Sequence, residues 1–139
     1  MRITATHLRV RREHFGFSRA QLATILGCTP GVIADWEDGR EPVPHRIGGE
    51  IEDIARRTDE HLVNLIAQYA AGDKTLITYR TDEAYEQHHP GGPYTASWHR
   101  ALCGRVLQIY PDVTVECDDL PGPRKPRPPR GKAAAAQGR

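Results

Sequence analysis

Residues with the types and spacing of metal ligands occur in the distal part of the sequence. His99 and Cys103 are four positions apart, so a helix would place them on one face, and Cys117 follows in a β-prone run. A structural zinc site needs four ligands, and no fourth residue has a convincing spacing here. Together with Cys28 the cysteines form an odd set without a CxxC pair, which is not typical of a disulfide framework or a zinc ribbon. We therefore predict no metal site and expect the cysteines to pack as small buried hydrophobic residues.

Motifs for catalysis are not apparent in the chain. The sequence has no nucleophile elbow, no P-loop, no glycine-rich nucleotide fingerprint and no HExxH pair. We predict that the chain is not an enzyme and has no cofactor. The sequence also gives no sign of a small-molecule ligand.

Basic side chains are concentrated at the two ends of the chain, although the formal net charge is only +1. Residues 1–40 contain six arginines against four acidic residues, and residues 120–139 contain six basic residues and no acidic one. The segment between these ends is acidic. Because basic patches attract phosphate groups, this distribution is compatible with a nucleic-acid partner.

Length and hydropathy limit the class of protein. A chain of 139 residues, 38% of them hydrophobic, allows one modest domain with an appendage or two small domains. No apolar run reaches membrane-spanning length, and charged residues interrupt the N-terminus where a signal peptide would be apolar. We expect a cytoplasmic protein without a membrane partner.

Composition divides the sequence into three segments. Residues 1–71 combine apolar residues at helical spacing with capping residues and turn glycines, which predicts a helical domain. Residues 72–118 predict a small α+β unit of order β-α-α-β, with β-branched strands at 75–79 and 113–117. Residues 119–139 are rich in Pro and Arg and have almost nothing to bury, so we expect a disordered basic tail.

The two helices of the middle segment are predicted at 82–88 and at about 96–109. The apolar face of the second contains Trp98, Leu102, Cys103, Val106 and Ile109. A unit this small seldom buries enough apolar surface to fold alone. It must therefore pack on the first domain, on a second copy of itself, or on both. A strand edge beside an apolar helix face suits a twofold dimer, so we predict a dimerisation domain.

Capping signals divide residues 6–39 into three short helices. Ser18 and Gln21 have the spacing of a capping box that opens the second helix. Thr29 caps the third helix, and Pro30 occupies its first turn, where a missing N–H costs nothing. The helices end at glycines, which adopt the left-handed conformation without strain, at positions 16, 27 and 39.

Two helices joined by a four-residue turn with a glycine describe a helix-turn-helix. The spacing of Ala23, Gly27, Ile33 and Trp36, together with the caps, is specific for this motif. Further positions are predicted to close its core: Leu8, Phe15, Phe17, Leu22 and Leu26. An apolar helix follows Pro44 and ends before Gly72, and the residues at 58–60 leave open whether it is one helix or two.

The stretch GFSRAQLATILGCTPGVIADWEDGREPVP resembles the lambda-repressor-like, XRE-type helix-turn-helix family, whose pattern is an LA pair, a turn glycine, a capped third helix and a WE.G ending. The resemblance covers about half of the chain and implies a helical bundle that binds double-stranded DNA. The WEDGREPVP ending, the long helix and a distal YRTDEAY step resemble two-part phage and bacterial regulators, including the anti-CRISPR-associated autorepressors. In that group the distal part is a dimerisation domain.

The resemblance also implies roles for individual residues. Arg40 would meet phosphate, and Arg12 and Glu37 would form an ion pair that joins the first helix to the third. The residues that would face the major groove are Arg19 on the second helix and Thr29, Pro30, Gly31, Ala34 and Asp35 on the third.

The chain departs from the family pattern at the start of the third helix. Family members commonly have Gln, Arg, Asn or Ser there, whereas this chain has Pro30, Gly31 and Ala34. Base discrimination would then rest on Arg19, on an Asp35 contact to a cytosine amine, on thymine methyl groups and on DNA shape.

These observations predict a sequence-specific, DNA-binding transcriptional regulator that acts as a homodimeric repressor on an inverted-repeat operator. The resemblance alone implies that it represses its own promoter. Two alternatives stay open. A protein-binding adaptor or antitoxin-like module with a degenerate third helix is favoured by Asp35 and by the missing Gln or Arg. RNA binding through the basic tail is the other.

Overall fold

The structure, a computed structural model, describes residues 2–118; residues 119–139, where the disordered basic tail is predicted, lie outside the described residues. The described part forms six α-helices and one two-stranded parallel sheet, so it is mainly helical with a small α+β part at its distal end. In chain order the elements are α1 (Ala5–Phe15), α2 (Arg19–Leu26), α3 (Pro30–Glu37), α4 (His45–Ala70), β1 (Thr75–Thr78), α5 (Asp82–His88), α6 (Ala96–Ile109) and β2 (Thr114–Cys117).

The predicted capping residues begin and end the first helices. Ser18 Oγ accepts a hydrogen bond from the Gln21 backbone N–H at 3.1 Å, and Gln21 Oε1 accepts one from the Ser18 N–H at 2.8 Å. These two bonds complete the predicted capping box. The Thr29 hydroxyl accepts a backbone N–H in the first turn of α3. Gly16 and Gly27 follow α1 and α2 with φ values of +82° and +74°, in the left-handed region.

The inward positions predicted for the first three helices are buried, and each is at most 7% exposed. They belong to one hydrophobic cluster that holds α2 and α3 against each other and against α1. The opposite side of α3 is thereby left outside the core. The buried residues are Leu8, Phe15, Phe17, Leu22, Ala23, Leu26, Ile33 and Trp36.

The segment after Pro44 is a single helix of 26 residues, which answers the question that the sequence left open. Ile47, Ile51 and Ile54 are buried along one face of α4. The buried Thr58 hydroxyl donates to the Ile54 carbonyl at 2.7 Å, so the polar residue in mid-helix is satisfied within the helix. Across residues 2–118, no helix, α4 included, has both the length and the apolar character needed to cross a bilayer.

Strands β1 and β2 pair in parallel, with Leu76 opposite Val115 and Thr78 opposite Cys117. A parallel pair cannot be joined by a tight turn, and α5 and α6 supply the crossover connection. Leu76 and Thr78 point inward, whereas Ile77 between them is 42% exposed. The predicted order of strand, two helices and strand is therefore present. A role in dimerisation stays a prediction.

The distal segment packs against the first part of the chain through α6, which contacts α1 and α4. Gly16 lies so close to α6 that a Cβ atom there would come within 2.7 Å of the Ser97 carbonyl oxygen. The small distal unit thus obtains its apolar cover from α1 and α4, while the domain boundary at residue 71 stays a prediction. The α6 side chains that join the common core are Trp98, Leu102, Cys103 and Val106.

Two expectations about buried side chains are wrong. Ile109, expected on the buried face of α6, is 51% exposed because it is the last residue of the helix and lies beyond the packed part. Cys28 and Cys117 are only half-buried, and Cys103 alone of the three cysteines is inside the core.

Candidate nucleic-acid interface

Helix α3 has one packed side and one open side. Ile33 and Trp36 anchor it against α1 and α2, with 0% and 6% exposure. Residues 29–31 are exposed, while Ala34 and Asp35 are half-buried. The five positions predicted on α3 therefore lie at the surface, and the first turn is the most open part. A capped helix with an open first turn has the shape needed to enter the major groove of a duplex.

Arg40, predicted to meet phosphate, lies just beyond α3 with 59% of its side chain exposed. Its Nε atom is 2.9 Å from Asp35 Oδ1, and its Nη2 atom is 3.2 Å from Asp38 Oδ2. The hydrogen bond to Asp35 raises the pKa of Arg40, which stays a cation. Exposed ion pairs add little to stability, so these partners can be exchanged for a phosphate.

Arg19, predicted to face the major groove, is turned toward the end of α3. Its Nε donates to Glu37 Oε1 at 3.1 Å, and its Nη2 lies 3.4 Å from Asp38 Oδ1. About a third of the side chain is exposed, at 34%. The guanidinium is therefore held by one buried and one exposed carboxylate, with part of it still open to solvent.

The predicted ion pair between Arg12 and Glu37 is confirmed. Arg12 donates through Nε to Glu37 Oε2 at 2.6 Å and through Nη2 to Oε1 at 3.0 Å, a bidentate geometry. Its Nη1 donates to the Phe17 carbonyl at 3.0 Å. Burial alone would raise the pKa of Glu37, but hydrogen bonds from Arg12 and Arg19 outweigh it and lower that pKa. The pair links α1, the α1–α2 turn and the end of α3 in one orientation.

Residues 5–61 match the family model of a helix-turn-helix domain. The match begins at α1 and extends into α4, so it contains every residue predicted to contact DNA. It supports a DNA-binding helix-turn-helix family for this part of the chain, and such domains are typically not enzymes. A search of curated proteins found no match.

Asp38 is the residue of the helix-turn-helix surface that the sequence interpretation missed. It is the C-cap of α3, and its carboxylate contacts both Arg19 and Arg40. The sequence signal for it was a second carboxylate directly after Glu37. Because neighbouring residues at a helix end point in different directions, Asp38 could be expected at the surface when Glu37 is buried. In the chain without bound DNA, Arg19 and Arg40 are thus paired with carboxylates on α3 or at its C-terminal end.

His99 and Cys103 lie together on the buried side of α6, with Nδ1 and Sγ 3.9 Å apart. His99 Nδ1 is also 2.7 Å from Thr78 Oγ1. Burial lowers the pKa of His99 to about 4 and raises that of Cys103 to about 11, so both are neutral at neutral pH. Within residues 2–118 no group of three or more His, Cys, Asp or Glu side chains is arranged to hold a metal ion.

Proposed function

We propose that this chain is a sequence-specific, DNA-binding transcriptional regulator that represses transcription as a homodimer on an inverted-repeat operator. The observation that carries the proposal is the open first turn of α3 within a matched helix-turn-helix domain. The buried pair of Arg12 and Glu37 supports it, since this pair holds α3 outward from α1.

The α3 surface suggests how the duplex is read. Pro30, Gly31 and Ala34 are small enough for α3 to lie close to the bases. Apolar contact with thymine methyl groups then gives a preference for thymine at the contacted positions. On binding, a phosphate replaces the carboxylates around Arg40, and Asp35 is then free to accept from a cytosine amine. Because α3 has few side chains that can form two hydrogen bonds to one base, DNA shape supplies a larger share of the specificity than direct base contacts do.

Dimerisation rests on the distal segment. Within residues 2–118 its sheet has only the two strands β1 and β2, and Ile77 and Ile109 are exposed apolar side chains at 42% and 51%. A twofold dimer would present two α3 helices to half-sites whose centres lie about 10 base pairs apart, or a multiple of this distance. Binding across a promoter then blocks transcription.

Selection of bound sequences from a random duplex pool, with the full chain, tests the proposal. We expect an enriched inverted repeat. Failure to enrich any sequence, together with affinity for duplex DNA that does not fall with salt, would contradict DNA binding and favour a protein-binding adaptor. Deleting residues 119–139 tests the alternative of RNA binding through the tail. RNA binding would then be lost, while DNA binding by α3 would persist.

Two arginine variants test the proposed contact between Arg40 and a DNA phosphate. Arg40→Ala should weaken binding to all duplexes and reduce the slope of log affinity against log salt by about 1, as expected for one lost phosphate contact. Arg56→Ala is the matched control, since Arg56 on α4 has the same 59% exposure and is also paired with two carboxylates. An equal effect of the two variants would contradict a specific role for the α3 surface.

A further inference from the structure

A cavity of about 190 Å³ lies between the second half of α4, the end of α5 and the middle of α6. Tyr85, His99 and Leu102 are buried in its lining, whereas Asn64 and Gln68 are exposed at its rim. An apolar cavity of roughly 150 Å³ accommodates benzene, and one water molecule occupies roughly 30 Å³ in the liquid. The α4–α6 cavity is therefore large enough for a one-ring molecule.

The His99 ring has one partnered and one unpartnered nitrogen. Nδ1 bonds with Thr78 Oγ1 at 2.7 Å, so Nε2 is the nitrogen left for the cavity. No residue of the described chain forms a hydrogen bond with Nε2, although His99 is only 7% exposed. A buried polar atom without a partner is unfavourable, and such atoms normally bond to protein, water or ligand. A ligand hydroxyl would satisfy Nε2 in either tautomer, because a hydroxyl both donates and accepts.

Aromatic rings make up much of the cavity lining. His89 stacks on Tyr85, with ring centroids 5.0 Å apart, and its centroid is 5.5 Å from that of His99. His61 from α4 adds a fourth ring. Burial lowers the pKa of both His89 and His99, and no Lys, Arg, Asp or Glu is among the described residues that line the cavity. Flat walls without a carboxylate, Lys or Arg suit an uncharged aromatic molecule.

We propose that the α4–α6 cavity binds a small, uncharged, one-ring aromatic ligand through a hydroxyl group that bonds to His99 Nε2. No such site could be predicted from the sequence, because its lining forms only when α4 packs against α5 and α6.

Phenol is the probe for this site, and toluene and benzoate are its matched controls. Toluene has nearly the same shape without the hydroxyl, and benzoate carries a negative charge. Each is titrated into the full-length protein while backbone amide NMR shifts are recorded. We expect saturable shifts around Tyr85, His99 and Leu102 with phenol, binding roughly fivefold weaker with toluene because one hydrogen bond is lost, and none with benzoate. Toluene or benzoate binding as tightly as phenol would overturn the assignment.

Two tryptophan substitutions on α4 test the location. Leu65 lines the cavity, so Leu65→Trp should fill it and abolish the phenol shifts. Val63 lies on the same helix outside the cavity with 63% exposure, and Val63→Trp should leave phenol binding unchanged. If Leu65→Trp does not fold, Asn64→Trp at the exposed rim replaces it. Phenol binding that survives the folded cavity variant would overturn the proposal, and the measurement needs no DNA, so its outcome is independent of the proposed function.

Discussion

The helix-turn-helix region (α1–α3) and the distal segment (β1 to β2) differ in how far apart along the chain their structure-forming contacts lie. In the first region a cap acts over three residues, as Ser18 and Gln21 do. In the second, β1 pairs with β2 across two intervening helices, and Trp98 donates its indole N–H to Thr58 on α4 at 2.9 Å. Local capping therefore defines the helix ends of the first region, whereas the sheet of the second region and its contact with α4 depend on residues far apart in the chain.

The buried polar contacts of the two regions differ in charge. Arg12 and Glu37 form an ion pair inside the helix-turn-helix region. The distal segment instead uses neutral bonds, from Trp98 to Thr58 and between His99 and Thr78. A buried charge must be paired completely, whereas neutral groups cost less to bury. An ion pair therefore orients the helix-turn-helix region, whereas neutral hydrogen bonds and packing hold the distal segment, so mutation and acid should affect the two regions differently.

Glu37→Ala should have the largest effect on stability. It leaves Arg12 without its buried carboxylate and Arg19 without one partner. Breaking a buried ion pair costs about 3–5 kcal/mol. We expect the free energy of unfolding, measured by urea denaturation, to fall by about 3 kcal/mol, because Arg12 retains the Phe17 carbonyl.

Glu13→Ala is the matched control for this variant. Glu13 is an exposed carboxylate only 4.0 Å from Arg12. Its removal should change the free energy of unfolding by no more than about 0.5 kcal/mol. Similar losses in the two variants would remove the distinction between a charged core in one region and a neutral core in the other.

Mild acid should destabilise the distal segment before the helix-turn-helix region. The pKa of His99 is lowered by burial to about 4, below the 6.5 of an exposed histidine. The unfolded chain therefore binds this proton at higher pH than the folded chain does. Stability should be complete above pH 6.5 and decline toward pH 4, by at most about 3 kcal/mol. Because the pKa of Glu37 is lowered from 4.5, its contribution is lost only at lower pH.

Urea denaturation of His99→Leu between pH 7.5 and pH 4 measures this effect. The variant should lose most of the pH dependence seen in the wild-type chain between pH 6.5 and pH 4. An unchanged pH dependence would mean that another group is responsible.

Thr58→Val should cost about 2 kcal/mol, since it keeps the shape of the side chain but leaves the buried Trp98 N–H without an acceptor. Thr58→Ser retains the hydroxyl and should lose only about 1 kcal/mol, through the missing methyl group. Thermal or urea unfolding gives both values. A Ser variant as unstable as the Val variant would show that packing, and not this bond, joins α6 to α4.

Gly16→Ala and Gly27→Ala separate local from long-range effects within one chain. Both glycines have positive φ, so either substitution should cost about 1 kcal/mol from backbone strain. A Cβ at Gly27 meets nothing within 4 Å, but at Gly16 it would meet the Ser97 carbonyl oxygen at 2.7 Å. We expect Gly16→Ala to lose at least about 1 kcal/mol more, from overpacking against α6. Equal losses in urea denaturation would argue against close contact between the two regions.

Much of the helix-turn-helix region could be predicted, and its interface could be predicted in part. The caps at Ser18 and Thr29 follow from residue types at short spacing, and the pair of Arg12 and Glu37 is implied by the resemblance to the lambda-repressor-like family. The orientation of Arg19 could not be predicted, because it depends on where Asp38 lies after α3 has packed. The boundaries of α5 and α6 agree with those predicted from the sequence, 82–88 and about 96–109.

From the residue order alone, most helix ends and apolar faces could be predicted, although the number of helices after Pro44 and the position of Ile109 could not. Caps, turn glycines and periodicity act within one or two helical turns, so they can be recognised in the order of the residues. Packing of the complete fold was needed to show that α6 lies against Gly16, that Arg19 and Arg40 share Asp38, and that rings from α4, α5 and α6 surround one cavity. These arrangements depend on the packing of the whole core, in which each contact is favourable only when the others have formed.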